Sequence, residues 1–256
     1  MVRAELIEGD CLNMLDNLGG ILPQIDCIFA DPPDNIGLNY AQYDDNLPPE
    51  QYALRFTDWL NCFADLAPVV WLSVNARWTF ALGAQVHRFL ARRPQWDARA
   101  FVQTFTFGQN RRTDCGNGHR PLWRLMHNSA RLYPDAIKVE SWRQRNGDPR
   151  AAEGGCVPLD HWDIPRVTGN SAQRRRHHPT QLHEGLVQRA IELTTLPGDH
   201  VLDPFAGTGT TLRVCRRIAR DCTLIEIDPG YCEKIREEHS DLLAKPLPNG
   251  SLDWPL

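Results

Sequence analysis

Ile25-Asp26-Cys27-Ile28-Phe29-Ala30-Asp31-Pro32-Pro33-Asp34 and, far downstream, His200-Val201-Leu202-Asp203-Pro204-Phe205-Ala206-Gly207-Thr208-Gly209-Thr210-Thr211 are the stretches whose reading decides the fold. Each is an apolar run, read as a buried strand, that breaks into a turn at an acidic residue. In open α/β sheets, ligands bind just beyond the carboxyl ends of the strands. Two such ends lying side by side would make one site with two halves, one built at Asp31 and the other at Asp203.

Working outward, the apolar spacing predicts a strand over 2–8, a helix from Asp10 to Leu18, and a helix from Pro49 to Leu66. The second helix carries Tyr52, Phe56, Trp59, Leu60 and Phe63 on one face. A continuous apolar strand follows at Val69 to Val74, then a helix from Phe80 to Leu90 and an alternating strand from Ala98 to Phe107. The polar, Asn- and Asp-rich loop 35–48 is long enough for a flexible lid. From Gly108 to Arg176 the chain is rich in Gly, Pro, Arg and Trp, with weak periodicity. Regularity returns with a helix over Glu184 to Leu193, a strand at His200 to Leu202, a helix after Thr210, a strand at Thr223 to Ile227 and a helix from Gly230. Strands alternating with helices predict an α/β fold, a mostly parallel sheet with helices on both faces.

A chain of 256 residues, 42% hydrophobic, can bury a full core as one domain or as one domain with an insertion. Its apolar runs fall short of a bilayer span, and the acids after Met1 do not make a signal peptide, so a cytoplasmic protein without membrane contact is expected. The eight cysteines include no C-x-x-C pair; they read as reduced packing residues, and no metal site is expected. The net charge of −4 conceals an uneven distribution. Residues 1–60 are strongly acidic, whereas Arg111, Arg112, Arg120, Arg124, Arg131, Arg143, Arg145 and Arg150 follow Phe107, and Arg174-Arg175-Arg176 come later. A local basic surface of this kind suits phosphate contacts whatever the total charge.

The glycines Gly207 and Gly209 allow a tight strand-to-helix turn and a close approach of backbone to a ligand. The free N–H groups of the helix starting at Thr210 favour an anionic group nearby. A P-loop would need Lys at that helix start, and a dinucleotide fingerprint would need a third glycine where Leu212 stands. The G-x-G pair gains weight from Glu226, which ends the next strand, where a carboxylate can accept ribose hydroxyls.

These strings resemble the signatures of S-adenosylmethionine-dependent DNA methyltransferases that modify the exocyclic amine of adenine or cytosine. The catalytic string comes before the cofactor string, the circularly permuted order of the β group of that family. The likeness extends through Gly9 to Leu18, His178 to Leu182 and Thr223 to Tyr231, and is weak between Gly108 and Arg176. It implies a Rossmann-like class I methyltransferase fold with seven strands. Its parts would be a catalytic half over 1–107, a target-recognition insertion over 108–165 and a cofactor half over 166–256. The implied cofactor is S-adenosyl-L-methionine. The resemblance puts Asp10 and Cys11 at its adenine ring, Glu226 at its ribose, and His178, Thr180 and Gln181 near its methionine end. Asp31, Asp203, Phe205, Ala206, Gly207, Gly209, Thr210 and Asp228 complete the expected cofactor set. Asp10 reads equally as the N-cap of the helix it precedes. Leu182-His183 stand where the family commonly has Lys-Pro.

In the reaction half, the lone pair of an exocyclic amine is delocalised into the ring. The carboxylate of Asp31 and the carbonyl of Pro32 could accept its two hydrogens and turn the lone pair toward a methyl group. Pro33 helps to fix the backbone direction. The base must leave the duplex to reach such a pocket. In the family, the fourth residue of the string is an aromatic that stacks on the flipped base; here it is Asp34. Three readings stay open: Tyr40 or Tyr43 replaces the stack, Asp34 hydrogen-bonds the base, or the chain is a weak family member that binds cofactor and DNA. Asp at the first position leans toward adenine N6 over cytosine N4. Arg111, Arg112, Arg174, Arg175 and Arg176 are the expected phosphate contacts on double-stranded DNA. A homodimer is expected by resemblance, and a companion restriction endonuclease is a partner the family allows. Trp123, Trp142 and Trp162 read as local core anchors. An RNA or small-molecule methyltransferase would share the fold, but not a DPP string joined to a basic insertion.

Overall fold

The computed structural model describes residues 2–18, 22–40, 42–109, 112–175 and 180–243, with the side chains of 107–109 left out. The strands are β1 (Ala4–Glu8), β2 (Cys27–Ala30), β3 (Val69–Ser73), β4 (Trp96–Gln109), β5 (Asn117–His127), β6 (His161–Asp163), β7 (His200–Asp203) and β8 (Asp221–Glu226). The helices are α1 (Cys11–Leu18), α2 (Pro49–Leu66), α3 (Thr79–Arg92), α4 (Trp142–Arg145), α5 (Glu184–Thr194), α6 (Thr210–Ile218) and α7 (Pro229–Glu238).

The strands form one sheet in the order β1-β8-β7-β2-β3-β5-β4-β6. From β1 to β3 every pairing is parallel; β5 runs antiparallel between β3 and β4, and β6 lies parallel to β4. The expected α/β class and mostly parallel sheet are present, with eight strands among the described residues rather than seven. The additional β6 spans three residues, too few for an alternating pattern. It is held because Trp162, 1% exposed, packs against Trp71 and Phe101.

Alternation along the central strands divides the core between the two faces of the sheet. Ile28, Ala30, Val70 and Leu72 face α1, α2 and α3, together with Phe56, Trp59, Phe63 and Leu82. Cys27, Phe29, Val69 and Trp71 face the opposite way, against Leu186, Val187, Ile191, Leu212 and Val214 of α5 and α6. The path β2–α2–β3 moves outward in one direction and β7–α6–β8 in the other. The crevice between the paired strands β2 and β7 is therefore a topological switch point, the usual place for a ligand in such sheets.

The stretch from 108 onward enters the sheet more deeply than its weak periodicity implied. Leu122 and Leu125 of β5 are buried, as is Trp123, in register with β3 from Val69↔Met126 to Ser73↔Leu122. Of the three tryptophans read as anchors there, Trp123 and Trp162 are core, whereas Trp142 on α4 is 71% exposed. Because β5 is antiparallel to β3, its start lies beyond Ser73, on the edge of the sheet where β2 ends. The β4–β5 hairpin projects from that same edge.

Candidate active site

Strand order brings the two opening stretches together. Cys27↔Val201 and Ile28↔Leu202 pair in parallel, so Asp31 and Asp203 follow adjacent strand ends. One cleft at this edge is lined by Gly9, Asp10 and Cys11 after β1, Asp31 to Asp34 after β2, Phe205 after β7, and Glu226 and Asp228 at the end of β8. Tyr40, Tyr43, Trp59, Arg120, Thr180 and Tyr231 also line it.

In the half built on β7 and β8, the Glu226 carboxylate accepts the Gly207 N–H at 2.6 Å and the Asp228 N–H at 2.9 Å. Burial pushes its pKa up to about 7 despite those two donors, which favour the charged form. Asp228 caps α7 by accepting from Gly230 N at 2.7 Å. Asp10 takes the N-cap position. Its Oδ1 accepts from Asn13 N, capping α1, its Oδ2 pairs with Arg55 at 2.7 Å, and it still lines the cleft. Polar atoms in this half include two orphans. Tyr43 Oη and Trp59 Nε1 are buried without a hydrogen-bond partner among the described residues. An aromatic wall with spare polar atoms, facing a carboxylate, fits a purine nucleoside.

Other residues of the expected cofactor set stand behind the cleft. Asp203 is buried and accepts from Phe205 N at 2.9 Å and from Thr211 Oγ1 at 2.5 Å, which closes the strand-to-helix turn. Its burial lifts its pKa to about 7. Ala206, Gly207, Gly209 and Thr210 shape that turn without lining the cleft. Gly207 and Gly209 take φ of 52° and 72°, and a side chain at Gly209 would meet Ile235 Cγ1 at 3.2 Å. Gln181 is a strut: it accepts from Arg175 N at 2.9 Å and donates to Gln173 O at 2.7 Å. His178, Arg111 and Arg176 lie outside the described residues. Arg175 is engaged with Glu238 at 2.6 Å, while Arg112 is exposed.

The reaction half is held from several directions. Tyr52 Oη donates to Pro33 O at 2.8 Å and Trp78 Nε1 to Asp34 O at 2.7 Å. The loop expected as a free lid is stitched instead. Asp45, 2% exposed, accepts from Asn35, Ile36 and Leu38 N–H groups, and Asn35 exchanges hydrogen bonds with Leu47. Tyr40 and Tyr43 of this loop both reach the cleft.

Sequence reasoning missed Arg120. Counted there among surface arginines, it is half-buried near the start of β5, in contact with Asp31 Oδ1 at 2.7 Å and with Asp34 at 2.9 and 3.1 Å. Its Nε donates to Ser73 Oγ at 2.6 Å. Burial raises the Asp31 pKa; Arg120 and Ser73 oppose that rise, and the Asp34 charge adds to it. The signal was available, because a second carboxylate beside a buried Asp needs a cation. Arg124 is buried, over Trp71 and Phe101.

Comparison with known proteins agrees with this geometry. The family model for N6/N4 DNA methylases matches residues 25–237. The chain belongs to that DNA methylase family. Among curated relatives, the DNA adenine methyltransferase YhdJ of Escherichia coli K12 is 29% identical over 88% of this chain and 79% of its own length. The type II methyltransferase M.HpaI of Haemophilus parainfluenzae is 26% identical over 83% and 67%. Among solved structures, the cytosine-N4-specific PvuII DNA methyltransferase superposes with a TM-score of 0.67 at 16% identity, covering 90% of this chain and 84% of its own. The M1.HpyAVI–SAM complex gives 0.61 at 17% identity, over 92% and 99%. These two likenesses share the fold of this N6/N4 methylase. Among its described residues no helix is long and apolar enough to cross a membrane.

Proposed function

We propose that this methylase transfers a methyl group from S-adenosylmethionine to the N6 amine of adenine in double-stranded DNA. The observation that carries the reading is the convergence of Asp31 and Glu226 on one cleft, at the ends of β2 and β8 on either side of β7. Glu226 and Asp10 suit the nucleoside part of the cofactor, and Thr180 suits the opposite end. When bound, S-adenosylmethionine supplies an electrophilic methyl on a sulfonium. Asp31 accepts one hydrogen of the target amine and the Pro32 carbonyl the other, which draws the lone pair out of conjugation. Tyr40, in the cleft beside Asp31, takes over the stacking that Asp34 cannot provide. Adenine is favoured by the aspartate at the head of the string and by the relative named for adenine methylation.

The recognition part runs over 108–165, with the hairpin between β4 and β5 standing over the edge of the sheet where the base must enter. Arg112 is an exposed cation on its hairpin, and the 166–175 segment adds Arg166 and the half-buried Arg174. Incubation with tritiated S-adenosylmethionine and unmethylated genomic DNA, followed by nucleoside analysis, tests the reading. Labelled N6-methyladenine is expected, with Asp31→Asn inactive but binding cofactor within a few-fold of wild type. Labelled N4-methylcytosine would overturn the choice of base. No label in DNA would overturn the activity.

A further inference from the structure

Asp34 stands where a stacking aromatic was expected, and the structure gives that carboxylate another occupation. Its two oxygens receive the two ends of one guanidinium, Arg120 Nη1 at 3.1 Å and Nη2 at 2.9 Å. Asn75 Nδ2 donates to it at 3.2 Å. Asp34 is 6% exposed. The same Nη2 reaches only Oδ1 of Asp31, and Arg120 Nε is fixed on Ser73 Oγ. A guanidinium shared in this way has its fork spent on Asp34 and offers Asp31 a single contact.

We propose that Asp31, Arg120 and Asp34 act as one ionic unit in which Arg120 is a positioning residue for methyl transfer. Arg120 lets the catalytic carboxylate stay charged beside a second carboxylate, and Asp34 holds the guanidinium off the Asp31 oxygen that must meet the amine. Two neighbouring carboxylates, one buried and one half-buried, would share a proton without a cation. A guanidinium freed from Asp34 would swing to a two-pronged grip on Asp31 and consume the acceptor. The unit therefore accounts for the substitution at the fourth position of the string: an acid is tolerated there because β5 delivers its counter-ion. The proposal rests on the methylation reading of the cleft.

The groups facing Asp31 set its titration. Asp34 follows it in the same loop, Arg120 and Ser73 come from β5 and β3, Asp203 from the end of β7, and Tyr40 from the loop across the cleft. Removing Arg120 leaves carboxylates and a phenol around Asp31, so its proton is held to higher pH. Removing the Asp34 charge has the opposite sign.

The test uses full-length wild type, Arg120→Gln and Asp34→Asn, with folding of each variant checked by circular dichroism and melting. Two readouts are followed from pH 4.5 to 9. One is the single-turnover rate on DNA. The other is the carboxyl resonance of Asp31 in protein labelled with carboxyl-13C aspartate, assigned by Asp31→Asn. In Arg120→Gln both the acid limb of the rate and the Asp31 titration should move up by at least one pH unit. In Asp34→Asn both should move down, while the plateau rate falls tenfold or more. Titration of Asp31 at the same pH in all three proteins would overturn the ionic unit. If Arg120→Gln fails to fold, Arg120→Lys replaces it; it keeps the charge without the fork, and its expected result is an unmoved limb with a lowered plateau. Carboxyl shifts of the stated signs with no methyl transfer by wild type would uphold the ionic unit and sink the methylation reading instead.

Discussion

Replacing Glu226 with Gln keeps the shape of the side chain and removes its charge, and the structure says what that should do. The wild-type carboxylate is 7% exposed and holds its proton up to about pH 7, against an ordinary value of 4.5. That difference corresponds to about 3 kcal/mol spent on keeping the charge in place before any ligand arrives. Ribose hydroxyls are donors and prefer the ionised form, so cofactor binding selects it and expels a proton at slightly acidic pH. Affinity should be flat above pH 8 and fall below pH 7, by about 100-fold at pH 5 relative to the plateau. Glu226→Gln should bind about 10- to 100-fold more weakly on the plateau, from the loss of about 1.5–3 kcal/mol of charged hydrogen bonding, and its affinity should not vary with pH through this group. Isothermal titration in two buffers of different ionisation enthalpy at pH 6 measures both the affinity and the released proton. Wild-type affinity that is level from pH 5 to 8.5, or a variant that binds within twofold of wild type, would refute the ribose contact at Glu226.

Asp203 carries the same sign into folding: its proton is held to about pH 7 in the fold against 3.8 ordinarily, so its charge opposes folding increasingly as pH rises from 4 to 7. Asp203→Asn, which can still accept from Phe205 and donate to Thr211, should gain stability over wild type between pH 5 and 8, by at most about 4 kcal/mol in urea unfolding; a difference independent of pH refutes it. Trp162→Ala should cost about 3–5 kcal/mol, because β6 is anchored on Trp71 and Phe101 by that one side chain; a loss under 1 kcal/mol would detach β6 from the core. Arg112→Ala should flatten the dependence of DNA affinity on salt by about one unit of slope, whereas Arg175→Ala should leave the slope alone because that side chain is spent on Glu238; equal slopes for both variants contradict the assignment.

The helix Pro49–Leu66 and the ends of β2 and β7 were legible in the sequence to within a residue or so, for a simple reason. Their apolar spacing is unbroken and their boundaries carry Pro or Asp. The five buried residues of that helix are those its periodicity named. The strand β5 was not legible, because it breaks the rules of pattern. It holds Pro121, which cannot donate to a neighbour, a buried Arg124, and an Arg120 turned in toward two carboxylates. A buried Arg124 against two aromatic rings and a half-buried Arg120 between two carboxylates look, in sequence, like any charged surface. The candidate site shows the same division. Asp31, Glu226 and Asp10 stand in strings with fixed local geometry, whereas Trp59 and Arg120 reach the cleft from distant elements that no string connects.

The order of the strands in the sheet bears on how the chain is made. Among the described residues the only neighbour of β1 is β8, with Leu6 opposite Leu224, and one side of β2 waits for β7. A ribosome delivers these partners after every other described strand. Until then α1, α2 and α3 can cover one face of the growing sheet, but Cys27, Phe29, Val69 and Trp71 on the other face have no α5 or α6 to cover them. Contacts between such distant parts of the chain form slowly, and unpaired strand edges with bare apolar faces invite association with other chains. The critical event of folding thus waits for β7 and β8, and a chain stopped anywhere before Glu226 leaves its first strand with an incomplete place to go.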